Sequence, residues 1–223
     1  MIEVEYRIEN KKLNLDRMVP TSTFNGGNIY NYRNGLIRIY DKNFEEAHSE
    51  NTIRYLSKIK SLQIFMPSKL VYGNNKFCGY SIKSVPKNGS FHKIITTPKD
   101  YLLDSLFNLE EEIKYISDKR VVFNDLDYDD ISYNGEFSIC NPDKYMVLKS
   151  KSDSIYDTNI LELNLLLSKM ISKELNSENI VKRKINTFNN LFKDKDIYIS
   201  NCDYLDDLLS DSKDVKSFVK KLK

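Results

Sequence analysis

Neither sign of charge dominates this chain, in which 34 Lys and Arg stand against 32 Asp and Glu in 223 residues. Without a bulk field, nothing draws the molecule as a whole to nucleic acid or to a membrane surface. Cysteine is scarce, and Cys78, Cys140 and Cys202 are widely spaced and odd in number. That pattern matches neither a disulfide framework nor a zinc site, and it predicts a reducing, cytoplasmic setting. The two histidines, His48 and His92, lie far apart and outside any metal-ligand spacing. No apolar run approaches the ~20 residues of a membrane span. The opening MIEVEYRIENKK is charged where an export signal has its apolar centre. Serine, cysteine and histidine nowhere gather into a nucleophile motif. Tyrosines are scattered, without the stacking platform of a single-strand binder. Lys182-Arg183-Lys184 and Lys220-Lys221 are too short to read as more than solvated helix faces.

What is present is a change of periodicity along the chain. Up to Val85 the pattern is mostly that of strands: Ile2, Val4, Tyr6 and Ile8 alternate, 28–32 precedes 36–40, and 69–72 precedes 77–85. One helix is expected among them, over 44–59, with Ile53, Leu56 and Ile59 at helical spacing. Beyond Pro98 the spacing predicts helices over 102–116, 160–171, 178–193, 204–209 and 214–222, with Asp157 or Thr158 placed to cap the second. Pro86-Lys87-Asn88-Gly89-Ser90 reads as a linker. The expected division is therefore a β-rich part over 1–85, a connection over 86–98 and a helical part over 99–223.

The densest chemistry lies in VVFNDLDYDDISYNGEFSICNPD, from Val121 to Asp143. Asn134-Gly135 is a strong turn signal, so Ile131-Ser132-Tyr133 should pair with Phe137-Ser138-Ile139 as a hairpin. Asp125, Asp130 and Asn141 then come near one end of it, an oxygen set that suits a hard cation such as magnesium. The alternative is a structural hairpin whose acidic residues face water.

In its order of elements and in several short motifs, the chain up to about Met170 resembles the protein kinase-like superfamily in its small bacterial form. The motifs are Phe24-Asn25-Gly26-Gly27, Leu36-Ile37-Arg38-Ile39-Tyr40, Cys78 through Val85, Asn124-Asp125-Leu126 and Asn141-Pro142-Asp143. The resemblance implies an α+β, bilobal fold with a small β-rich lobe carrying one helix and a mainly helical lobe containing the hairpin. It implies ATP and magnesium as cofactors. Gly26 and Gly27 would cover the phosphates, and a Gly-Gly hairpin turn is the other reading. Arg38 stands where the family has its phosphate-holding lysine, with Glu50 or Glu46 as its partner. Ile82 or Lys83 would lie near the adenine. Asp125 would orient the acceptor hydroxyl, with Asp130 and Asn141 as metal ligands and Asp127, Asp129 and Asp143 as nearby substitutes if the register shifts by one or two.

Several positions depart from the family. Arginine replaces the lysine, aspartate the metal-binding asparagine, asparagine the second aspartate, and Phe123 the catalytic-loop histidine. These changes point to a pseudokinase-like protein with weak or no phosphoryl transfer, since positioning and electrostatics supply nearly all of that catalysis. Two other readings are an active, atypical ATP-dependent phosphotransferase and a non-catalytic protein-interaction module that binds no nucleotide.

Overall fold

The computed structural model describes residues 5–15, 18, 20–24, 26–42, 44–45, 47–83, 91–152, 154–177, 200–209 and 211–221. The chain is α+β and divides into two compact units. One comprises Met1–Ser61 and Phe65–Val85, the other Leu62–Ile64 and Pro86–Lys223.

Short turns shape the first unit. Residues with positive φ close three two-residue hairpins: Glu9 between β1 (Tyr6–Ile8) and β2 (Lys11–Leu13), Arg33 between β4 (Gly27–Tyr32) and β5 (Gly35–Tyr40), and Asn74-Asn75 between β6 (Pro67–Gly73) and β7 (Lys76–Lys83). With β3 (Pro20–Phe24) these strands form a seven-stranded sheet in the order β2-β1-β6-β7-β5-β4-β3, antiparallel at each pairing. One face buries Ile8, Leu13, Leu15, Ile37, Ile39 and Val71 together. On β5, the alternation that points Ile37 and Ile39 into this cluster points Arg38 and Tyr40 the other way. Tyr40 there meets Phe77 and Tyr80 at centroid distances of 6.2 and 6.0 Å.

The expected helix over 44–59 is shorter, α1 being Glu50–Leu56. Ser49 fixes its start, because the Ser49 hydroxyl accepts the Thr52 N–H at 3.1 Å and so satisfies a donor of the first turn.

In the second unit, α2 (Phe91–Thr96) occupies part of the expected 86–98 connection, and α3 (Lys99–Asp118) buries Leu102, Leu106, Leu109, Ile113 and Ile116 along one stripe. The hairpin forms as expected between β9 (Ile131–Tyr133) and β10 (Phe137–Ile139), with Gly135 at φ +87°. A second pairing, β8 (Val121–Phe123) with β11 (Tyr145–Val147), was not evident in the sequence. The long helix α4 (Ser154–Ser177) begins before Asp157 and Thr158, so those residues lie in its first turns rather than at its cap. Two further helices, α5 (Asn201–Leu209) and α6 (Val215–Lys221), complete the described chain. The expected helix over 178–193 and the Pro86-to-Ser90 linker lie outside the described residues. Among the described residues no helix is long and apolar enough to cross a membrane.

Candidate functional site

Two single turns of 3-10 helix set the base of the hairpin. Asp127 caps the first, Tyr128–Asp130, by accepting the Tyr128 N–H at 2.7 Å, while its own N–H donates to Asp130 Oδ2 at 2.9 Å. Asn141 caps the second, Pro142–Lys144, by accepting the Asp143 N–H at 3.2 Å. Proline at the first position of that turn needs no amide partner. The Cys140 N–H donates to the Asp130 carbonyl at 2.8 Å and holds the two turns side by side.

This brings together the two residues expected to share a metal. Asn141 Nδ2 donates to Asp130 Oδ1 at 2.7 Å. Asp130 is 6% exposed. Burial pushes its carboxyl above the ordinary aspartate range, against the lowering effects of the Asp127 N–H, the Asn141 amide and the Lys144 charge. Both carboxylate oxygens thus already accept a hydrogen bond, and the Asn141 oxygen accepts a third.

Asp125 sits differently. Its φ is +52°, a left-handed conformation that aspartate tolerates better than most residues, and its side chain is 75% exposed. Lys144 and Lys169 flank it, each with Nζ 3.6 Å from a different carboxylate oxygen. Lys169, on α4, also donates to the Leu126 carbonyl at 2.9 Å and so ties the loop to the helix. An exposed carboxylate between two ammonium groups can accept a proton from a hydroxyl while the lysines face anionic oxygens.

For magnesium, the donor set is one carboxylate, Asp130, with the Asn141 amide beside it. No group of three or more His, Cys, Asp or Glu is poised for a metal among the described residues. Such a set fits magnesium only where phosphate oxygens and water complete the shell.

The remaining expected site residues lie in the first unit. Arg38 is 3% exposed, with its guanidinium carbon 5.5 Å from the centre of the Tyr40 ring. Of its two expected partners, Glu46 lies outside the described residues and Glu50 is engaged locally. Glu50 Oε1 accepts from Arg54 Nη2 at 2.6 Å, one turn along α1, and from the Tyr72 hydroxyl at 2.8 Å. The Arg54 and Tyr72 hydrogen bonds hold the Glu50 carboxyl below its usual range. A residue in the first turn of a helix finds its i+4 cation more readily than a strand residue.

Gly26 lies in the β3–β4 turn and Gly27 opens β4, at φ +101° and +148°. A Cβ on Gly26 would strike the Phe44 ring, and one on Gly27 the Ile39 carbonyl. Both glycines therefore have a packing reason to be there. Ile82 is buried on β7 and Lys83 is exposed at the strand's end.

The sequence reasoning missed Lys144 and Lys169. Lys169 carries no local signal, being a helix residue far along the chain from Asp125. Compared with known proteins, the chain matches no family model and no curated protein.

Proposed function

We propose that this is a kinase-like protein with a degenerate nucleotide and metal site, in which phosphoryl transfer is weak or lost. The observation that carries this reading is the 2.7 Å bond between Asn141 and Asp130 at the hairpin base, beside an exposed Asp125 flanked by two lysines. The two residues expected to ligate a metal meet, but they satisfy each other. Glu50 is likewise engaged by Arg54 and Tyr72. The element order supports the family resemblance: strands with one embedded helix, then a helix, a loop with its hairpin and further helices.

On this reading Asp125 accepts the proton of an acceptor hydroxyl, Lys144 and Lys169 face the phosphate charge, and Asp130 holds magnesium together with phosphate and water. Magnesium, when bound, supplies neutralisation of developing phosphate charge. The test is thermal unfolding with ATP, with and without magnesium or manganese, alongside a phosphate-release assay. The expected result is a saturable rise in Tm with ATP that magnesium enlarges, with little or no metal-dependent turnover. Rapid magnesium-dependent turnover would establish the active phosphotransferase instead. No shift at millimolar ATP would leave the interaction module.

A further inference from the structure

The far end of the sheet in the first unit holds a cavity of ≈ 450 Å³ whose lining includes Lys11, Arg33, Lys69 and Lys83 with a single carboxylate, Glu9. Four cations against one anion stand out in a chain whose formal net charge is only +2. The strand register explains how they meet. Tyr32, Gly35 and Lys83 are partners across β4, β5 and β7, and Lys69 and Ile37 both pair with Ser81 in the adjoining row. Residues in register share a face, so Lys69 and Lys83 extend the apolar face formed by Ile8, Ile37 and Val71. Gly35 lets the two backbones close up here, because a Cβ on it would strike the Ile82 carbonyl oxygen.

The two outer cations come from turns and their margins. Arg33, at φ +54°, carries its guanidinium 5.2 Å from the centre of the Tyr32 ring, and Lys11 opens β2. Lys69 is held by Glu9 at 2.7 Å. Glu9 senses its neighbours: the Lys69 hydrogen bond first, then the charges of Lys69, Lys11 and Lys83, keep its carboxyl below the usual range. Among the described residues Lys11, Arg33 and Lys83 form no ion pair.

From this arrangement we propose that the cavity binds a compact, multiply charged phosphate ligand, with Lys11, Arg33, Lys69 and Lys83 as its cationic wall. Size selects the class. Strands run about 4.8 Å apart, so the Tyr32–Gly35–Lys83 row spans about 10 Å. That width suits a short polyphosphate or a small phosphate ester, and the balanced charge elsewhere gives an extended nucleic-acid strand nothing further to follow. Backbone pairing fixes the strands that carry the wall, while the exposed Lys11, Arg33 and Lys83 side chains lose rotamer freedom on binding, which keeps the expected affinity modest. The inference does not rest on the kinase-like reading, which shares only Ile82 and Lys83 with the cavity and whose Asp125, Asp130 and Asn141 belong to the other unit.

The experiment is titration of the full chain with inorganic tripolyphosphate, in chelator and low salt, followed by calorimetry. Saturable binding is expected, weakening steeply with added salt. Lys11→Gln with Arg33→Gly, the glycine chosen to keep the turn, should weaken it about tenfold or more. Glu9→Gln should tighten it by releasing Lys69, an effect that loss of folding cannot imitate. Lys42→Gln with Lys76→Gln, outside the cavity, should leave it unchanged. Equal affinity in wild type, the Lys11/Arg33 variant and Glu9→Gln would place the anion elsewhere and overturn the proposal. So would tighter binding of a ten-nucleotide oligothymidine than of tripolyphosphate, or no saturation by 10 mM on the order expected for a weak small-anion site.

Discussion

Asp130 and Asn141 form a polar pair whose two ends are chemically distinct, and exchanging them is informative. Asp130→Asn places two amides face to face, whereas Asp130→Asn with Asn141→Asp restores one amide and one carboxylate. If Asp130 holds magnesium, metal-dependent nucleotide binding should fall in the single variant and recover in the double. Equal binding in wild type and both variants would reduce the pair to a structural clasp. Protonation gives a second expectation. Because burial raises the folded-state pKa of Asp130, the folded chain binds its proton more tightly than the unfolded chain does. Stability therefore declines as pH climbs from the unfolded aspartate value through the raised one. The stability of wild type relative to Asp130→Asn should be highest at acid pH and should diminish as pH rises through that window, as followed by urea denaturation. The meeting of these two residues was legible in the sequence because Asn134-Gly135 fixes the hairpin, and the hairpin fixes what flanks it. The lysines beside Asp125 were not legible, since only the packing of α4 brings Lys169 there.

Among elements, Asn159 joins three. Fully buried on α4, it donates to Ser117 Oγ and to the Val121 carbonyl, each at 2.9 Å, and accepts the Phe123 N–H at 2.7 Å. Asn159→Ala strands a buried donor and a buried acceptor on β8, and should cost roughly 2–4 kcal/mol of unfolding free energy. Thr158→Ala, one residue away and exposed, should stay within about 0.5 kcal/mol by the same measurement. Elements with strong periodic patterns were legible: β4, β5 and α3 fall where alternation and the leucine stripe place them. Their limits were less so. The run from Phe44 to Ser49 has helix-forming glutamates and alanine, yet the chain enters α1 only where Ser49 supplies the cap. The β8–β11 pairing escaped notice because each partner is three residues long and their registers are set by the turns between them.

At the scale of the whole molecule, sequence order and spatial membership part company at one place. Leu62–Ile64 belongs to the second unit although the first unit continues at Phe65. Ile64 is fully buried and bridges in parallel to Ile139, whose N–H donates to the Gln63 carbonyl at 2.8 Å. Ile64→Ala should destabilise the second unit by roughly 2–5 kcal/mol. Native-state hydrogen exchange should show the Ile139 amide exchanging faster, while the Ile37 and Tyr80 amides of the first unit keep their protection. An equal loss of protection in both units would mean that they unfold as one. No run of residues around Ile64 announced this role, because an isolated bridge has neither period nor propensity to reveal it.

The same bridge imposes a wait during biosynthesis. The ribosome completes Leu62–Ile64 long before it reaches Ile139, roughly 75 residues later, an interval of about 4–15 s at ~5–20 residues per second. Throughout that time a wholly apolar side chain destined for a dry interior hangs from the nascent polypeptide with its partner not yet made. The first unit, complete at Val85, can fold early, but this loop within it must remain open to water or to a chaperone until translation passes the hairpin.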